Sequence, residues 1–134
     1  MTIIVGLVDS PEGRAALDRG IAEARLRGGP LVVVHSTRGG DEDVAEVIAW
    51  QARLDETRKR LTDDGIPHIV REYVRGHDPA DDILQAAAEE GAELIVLGLR
   101  RRSRVGKLLL GSTAQDVLLG ADCAVLAVKP SSDG

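Results

Sequence analysis

The residues whose types and spacing could do chemistry lie together in one stretch, LIVLGLRRRSRVGKLLLGSTAQDVLLG, from Leu94 to Gly120. An apolar run, Leu94 to Leu97, breaks at Gly98. Arg100, Arg101, Arg102, Arg104 and Lys107 follow, and Gly111-Ser112-Thr113 then opens a second apolar, periodic segment. Strand, glycine, basic loop, glycine and helix start is the order of parts that a phosphate cradle needs. Glycine lets backbone approach an anion closely, and the free N–H groups of a helix N-terminus, at the positive end of its dipole, complete the site. A solvated basic surface loop would carry the same arginines, and their place between two glycines is what favours the cradle.

Other chemistries are poorly represented. His35 reads as a buried or hydrogen-bonded strand-end residue, since no serine, cysteine or second histidine is paired with it in a nucleophilic pattern. His68 and His77 lie elsewhere, and no metal-ligand spacing occurs, so a metal is expected only as Mg²⁺ accompanying a nucleotide. The single cysteine, Cys123, allows no internal disulfide and reads as a small core residue, which points to a reducing cytoplasm. A net charge of −5 argues against general nucleic-acid binding, and with only Trp50 and Tyr73 as aromatics there is no base-stacking platform. No segment reaches the ~18 apolar residues of a membrane span, and the N-terminus has no basic leader, so neither export nor membrane insertion is expected.

The elements that must position the basic stretch follow from periodicity. Thr2–Val8 and Leu31–Val34 are short, β-branched apolar runs of the kind buried on both faces of a parallel sheet, ending respectively at Asp9 and at His35-Ser36. Ser10-Pro11-Glu12 starts a helix with Leu17, Ile21 and Ala24 on one stripe, stopped by Gly28-Gly29-Pro30. Val47, Trp50, Leu54 and Leu61 mark a second helix ending near Gly65, with Asp63 and Asp64 at the unfavourable end of its dipole. Residues 66–75 alternate, with Ile69, Arg71 and Tyr73 on one side, as an edge strand does. Asp78-Pro79 caps a third helix closed by Gly91, Ser112 caps a fourth, and Ala124–Val128 is the last strand. The chain is thus one α/β domain over 1–134, with residues 130–134 a polar tail: a doubly wound, five-stranded parallel sheet with four helices. In such sheets ligands lie beyond the carboxyl ends of the strands, which would gather Asp9, His35, Ser36 and Gly98 at one edge beneath the basic loop.

VDSPEGRAAL near the start, GLRRRSRVGKLLLGSTAQDVL and the closing CAVLAVKP together resemble the universal stress protein family over essentially the whole chain. The resemblance implies a nucleotide-binding, Rossmann-like sheet of order 3-2-1-4-5 and a homodimer formed through the last strand, 124–128. It implies ATP as ligand, held by a pattern of Gly, two residues, Gly, nine residues, then Gly followed by Ser or Thr. Gly98 matches the first position and Gly111-Ser112 the last, at the right spacing, but Arg101 stands where the middle glycine belongs. By position, Asp9 would lie by the ribose and adenine, backbone around Ser36 would read the adenine edge, and Gly98 would approach ribose and phosphates. Gly111, Ser112 and Thr113 would donate to the terminal phosphates, with Arg100 and Arg101 beside them. Asp9 and Ser112 also suit plain helix caps, a role that can coexist with binding.

The function expected is a cytoplasmic, ATP-binding stress-response module without fast catalysis, because no positioned general base for water is evident. The alternative is a nucleotide-independent dimer whose cradle Arg101 has altered and whose surface recruits a protein partner. A third is a nucleotide-processing enzyme on the same fold. The last strand is apolar on both faces, and at a sheet edge it favours pairing with a second copy.

Overall fold

The computed structural model describes residues 1–7, 11–36, 44–73, 78–101 and 108–130. Strands β1 (Ile3–Leu7), β2 (Leu31–Ser36), β3 (His68–Tyr73), β4 (Leu94–Gly98) and β7 (Ala124–Val128) form one sheet. Every pairing in it is parallel, in the order β3-β2-β1-β4-β7. Helices α1 (Pro11–Arg27), α2 (Val44–Asp63), α3 (Pro79–Glu90) and α4 (Ser112–Gly120) alternate with these strands. The expected doubly wound sheet, its order and its four helices are all present.

What sequence reading took for a loop after β4 contains a short hairpin. Strands β5 (Arg100–Arg101) and β6 (Leu108–Leu109) pair antiparallel, Arg100 opposite Leu109 and Arg101 opposite Leu108. Residues 102–107 between them, with Arg102, Arg104 and Lys107, lie outside the described residues.

Strand alternation sorts side chains into two cores. On one face Ile3, Val5, Leu31, Val33, Leu94 and Val96 pack with Leu17, Ile21 and Ala24 of α1 and Leu61 of α2. On the other, Ile4, Val32, Val34, Ile95 and Leu97 pack with Ala80, Ile83 and Ala86 of α3 and Ala114 and Val117 of α4. The same alternation sends consecutive residues at the end of β2 to opposite layers. His35, only 6% exposed, stacks on Trp50 of α2 with ring centroids 4.8 Å apart, while Ser36 turns to α3. The structural role expected for His35 and the packing role of Trp50 are therefore one contact.

Two glycines set the spacing between layers. A Cβ on Gly20 of α1 would run into Val5 Cγ2, and one on Gly6 of β1 would come within 2.9 Å of Ile83 Cδ1. Helix and strand approach closely there because nothing projects between them.

The stripe of α2 is buried at Leu54 and Leu61, but its first turn is not: Val47 is 37% and Ile48 65% exposed. Asp64, unfavourably placed for the dipole, has a partner in the neighbouring helix, where Arg25 Nη2 stands 3.3 Å from its Oδ2. Edge strand β3 is tied to α3 by Arg71. Its guanidinium donates to Tyr73 Oη (3.1 Å), Glu89 Oε2 (3.0 Å) and Glu90 Oε1 (2.8 Å), and the bonds to Tyr73 and then Glu89 raise its pKa.

Candidate site at the carboxyl edge of the sheet

Strand β1 lies between β2 and β4, so Leu7, Ser36 and Gly98 end neighbouring parallel strands on one edge. Each connection from one parallel strand to the next must return to the opposite edge, so every crossover helix runs against the strands. Helices α3 and α4 consequently bring their N-termini to the edge where Ser36 and Gly98 end. Asp9 follows β1 but lies outside the described residues.

Helix α4 begins differently from the expectation. Ser112 is its first helical residue, and the cap position is Gly111, in extended conformation at φ −66° and ψ 167°, with no side chain bonded to the helix end. A serine caps by accepting an N–H from two or three residues ahead while its own backbone stays extended; Ser112 is already inside the helix and cannot do so. The first intrahelical bond of this turn runs from Gln115 N–H to Gly111 C=O (2.9 Å). The N–H groups of Ser112, Thr113 and Ala114 precede it, and α4 carries no acid in its first turn. The dihedrals of Gly111 suit any residue, and among the described residues a Cβ there would meet nothing within 4 Å beyond its chain neighbours. The glycine therefore serves neither backbone strain nor packing; it leaves space in front of a row of backbone donors. That is the geometry a phosphate group fits.

Arg100 and Arg101 are placed by their backbones on β5, directly after Gly98 and Leu99, whose N–H donates to Val128 C=O (2.8 Å). Arg101 occupies an extended, paired position, a conformation open to every L residue, so the arginine imposes no backbone strain there. Gly98 sits in register with Val128, and among the described residues the positive-φ glycines are Gly28, Gly65 and Gly91. Gly98 therefore makes no left-handed turn at the edge.

One residue at this edge escaped sequence reasoning. Asp82 of α3 is 3% exposed, and the Ser36 hydroxyl donates to its Oδ2 at 2.8 Å. An acid in a helix's first turn ordinarily reads as a complement to the dipole, and its partner is 46 positions away in sequence, so no local signal marks the pair. Among the described residues, no group of three or more histidines, cysteines or acids could hold a metal. No described helix is long and apolar enough to cross a membrane.

Cys123 is half-buried just before β7 and packs against the α3/α4 core, as expected. Burial, aided by the neighbouring Asp122 charge, raises its thiol pKa.

Comparison with known proteins places the chain in a family. The model of the Universal stress protein family matches residues 1–129. A universal stress protein of Mycolicibacterium smegmatis is 43% identical over 128 residues, spanning 96% of this chain and 97% of that protein. The structure of a universal stress protein from Archaeoglobus fulgidus superposes with a TM-score of 0.80 at 37% identity, covering 96% of this chain and 98% of its own. The universal stress protein from Archaeoglobus fulgidus in complex with dAMP superposes at 0.75 with 34% identity and the same coverage, 96% and 98%. On the match along its length and on its sheet order, the chain belongs to the universal stress protein family.

Proposed function

We propose that this chain is a nucleotide-binding stress module that takes ATP, with Mg²⁺ as its companion ion, at the carboxyl edge of its sheet. The observation that carries the reading is the start of α4: backbone donors behind Gly111 that no described side chain caps, with space among the described residues where a Cβ would stand. The dAMP complex of the Archaeoglobus fulgidus relative supports an adenine nucleotide as the ligand class. Gly111, Ser112 and Thr113 bind the phosphates, Gly98 leaves room for ribose and phosphate, and Arg100 and Arg101 supply positive charge beside them. Backbone around Ser36 and the side chain of Asp9 receive the adenosine end. The bound nucleotide acts as a signal in the cytoplasm, and the module is regulatory, not a fast catalyst.

The same proposal includes a homodimer formed through β7. That strand pairs on one side with β4 and is the edge of the described sheet; Ala124 and Ala127 are exposed, while Val125, Leu126 and Val128 are half-buried against the two cores. A second copy of β7 would satisfy the outer edge. Sedimentation at micromolar concentration is expected to give a dimer, and a monomer would overturn this part.

Arg101 at the middle glycine position favours a second reading, in which the cradle is altered and the dimer acts through a protein partner without nucleotide. Calorimetric titration of nucleotide-stripped protein with Mg·ATP, beside Arg101→Gly, separates the two. Micromolar binding by the native chain supports the first reading. Binding by Arg101→Gly alone would establish the second.

A further inference from the structure

Asp82 of α3 is 3% exposed and stands among core residues: Ala80 and Ile83 beside it pack with Ile4, Val32 and Val34 of the sheet. An aliphatic side chain could join that core, whereas withdrawing a carboxylate from water is costly unless hydrogen bonds compensate it. The bond that Asp82 makes reaches another element, since Ser36 Oγ donates to its Oδ2 at 2.8 Å. Ser36 is the last residue of β2, and the sheet holds it from one side. The β1 ladder ends one residue earlier, with Leu7 opposite His35, while β3 continues to Tyr73 opposite Ser36. Toward β1 no described strand residue is in register with Ser36. The helix end that grips it is closed on itself: Asp78 Oδ1 accepts from Ala80 N–H (3.0 Å), and Asp78 C=O accepts from the N–H groups of Asp81 (2.9 Å) and Asp82 (3.2 Å).

We propose that Asp82 is a positioning residue for the nucleotide: by fastening the Ser36 side chain to α3 it fixes the backbone at the end of β2, which receives the adenosine end. The inference rests on the nucleotide reading above. An ionised carboxylate only accepts, so the single hydroxyl proton of Ser36 is committed within the protein. What β2 offers a ligand at this position is then its backbone, and a strand end held on one side binds well only if its place is set beforehand, because freedom left to it is lost on binding. The bond joins residues 46 positions apart, tying the strand end to a helix that the core already holds. A buried carboxylate keeps such a partner firmly, since leaving either group unpaired out of reach of water is unfavourable. Asp82 touches no ligand in this arrangement and acts through Ser36.

The test is calorimetric titration with Mg·ATP of nucleotide-stripped native protein, Asp82→Ala, Asp82→Asn, Ser36→Ala and the double variant Asp82→Ala/Ser36→Ala. Asp82→Ala and Ser36→Ala are each expected to bind about tenfold more weakly than native, the scale of one hydrogen bond to a charged group. Asp82→Asn keeps an oxygen that accepts the Ser36 proton, so its affinity should stay within about threefold of native. Because Asp82 acts through Ser36, the double variant should be no weaker than the weaker single one, whereas two independent effects would multiply to about a hundredfold. Should Asp82→Ala fail to fold, Ser36→Ala and Asp82→Asn decide the matter: loss in the first with retention in the second supports the positioning role. Native affinity in Ser36→Ala, no rescue by asparagine, or multiplying losses in the double variant would overturn that role and leave nucleotide binding standing. Failure of native protein to bind Mg·ATP would overturn the nucleotide reading itself and this inference with it.

Discussion

Helices α3 and α4 bring their N-termini to the same edge of the same sheet and differ in how they end. In α3, Asp78 Oδ1 accepts from Ala80 N–H (3.0 Å), Pro79 stands in the first turn, and Asp81 and Asp82 complement the dipole. At its other end Gly91, at φ 60°, turns left-handed and donates to Ala88 C=O, while Ala92 N–H donates to Ala87 C=O. Helix α4 has glycine at its N-cap, no acid in its first turn, and an extended Ala121 at its C-cap. A good cap contributes ~1 kcal/mol, so α3 is stabilised by its own residues where α4 forgoes that contribution. The difference teaches that helix N-termini alike in topology need not be closed alike: one is satisfied internally, and the other leaves its donors and its dipole uncapped, as the proposed anion site requires.

The largest expected effect follows from making α4 resemble α3. Gly111→Asp places a carboxylate in the open space before the donors, where it caps the helix and repels phosphate. ATP affinity should fall ~100-fold or more, since a like charge set against a bound anion costs several kcal/mol, while thermal stability holds or rises. Calorimetry and an unfolding curve on one sample check both halves, and unchanged affinity would break the comparison.

Weakening α3 should do the reverse. Gly91→Ala forces a side chain into a left-handed position and should lower stability by ~1–2 kcal/mol. Asp78→Ala removes the N-cap and should lower it by ~1 kcal/mol. Denaturant midpoints report these losses, and ATP affinity measured below the transition should stay within about twofold of native, because neither residue is among those proposed to bind the nucleotide. A parallel loss of affinity would mean that α3 takes part in binding through its cap.

The smallest effect concerns the far end of α3. Gln85 Nε2 donates to Glu89 Oε1 (2.7 Å) and, after it, Arg71 donates to Oε2; together they lower the Glu89 pKa below its ordinary value. A depressed folded pKa means that this contribution is complete above the unfolded carboxylate range and is lost as pH falls through the folded value. Glu89 is about half exposed, so the change is slight. Glu89→Gln should be marginally less stable than native at neutral pH and indistinguishable from it in acid; a gap that widens in acid would reverse the assignment.

The same two helices show what the sequence discloses. Asp78-Pro79 and Gly91 mark α3 at both ends because capping is local chemistry, written within a few residues of each boundary. The apolar runs of β1, β2, β4 and β7 were legible for the same reason, and the alternation at 66–75 correctly put Ile69, Arg71 and Tyr73 of β3 together. At α4 residue preference misled: serine is a favoured cap, but backbone dihedrals put Gly111 in that role, and preference alone does not fix dihedrals. Hairpin β5–β6 was missed because its strands have two residues each, too few for a period. The Ser36–Asp82 bond and the His35–Trp50 stack join residues distant in sequence, and only the folded sheet brings them into contact.

Which backbone N–H groups meet phosphate is read directly by amide NMR of ¹⁵N-labelled native protein titrated with Mg·ATP and, separately, with adenosine. The donors behind Gly111 should respond to the phosphates: the amides of Ser112, Thr113 and Ala114 move downfield with ATP and stay nearly still with adenosine, while those of Ala80 and Asp81 in α3 show no such difference. If ATP and adenosine leave the α4 amides alike, or the phosphate-dependent shifts fall in α3, the N-terminus of α4 is not the anion site and the contrast between the two helices has no functional meaning.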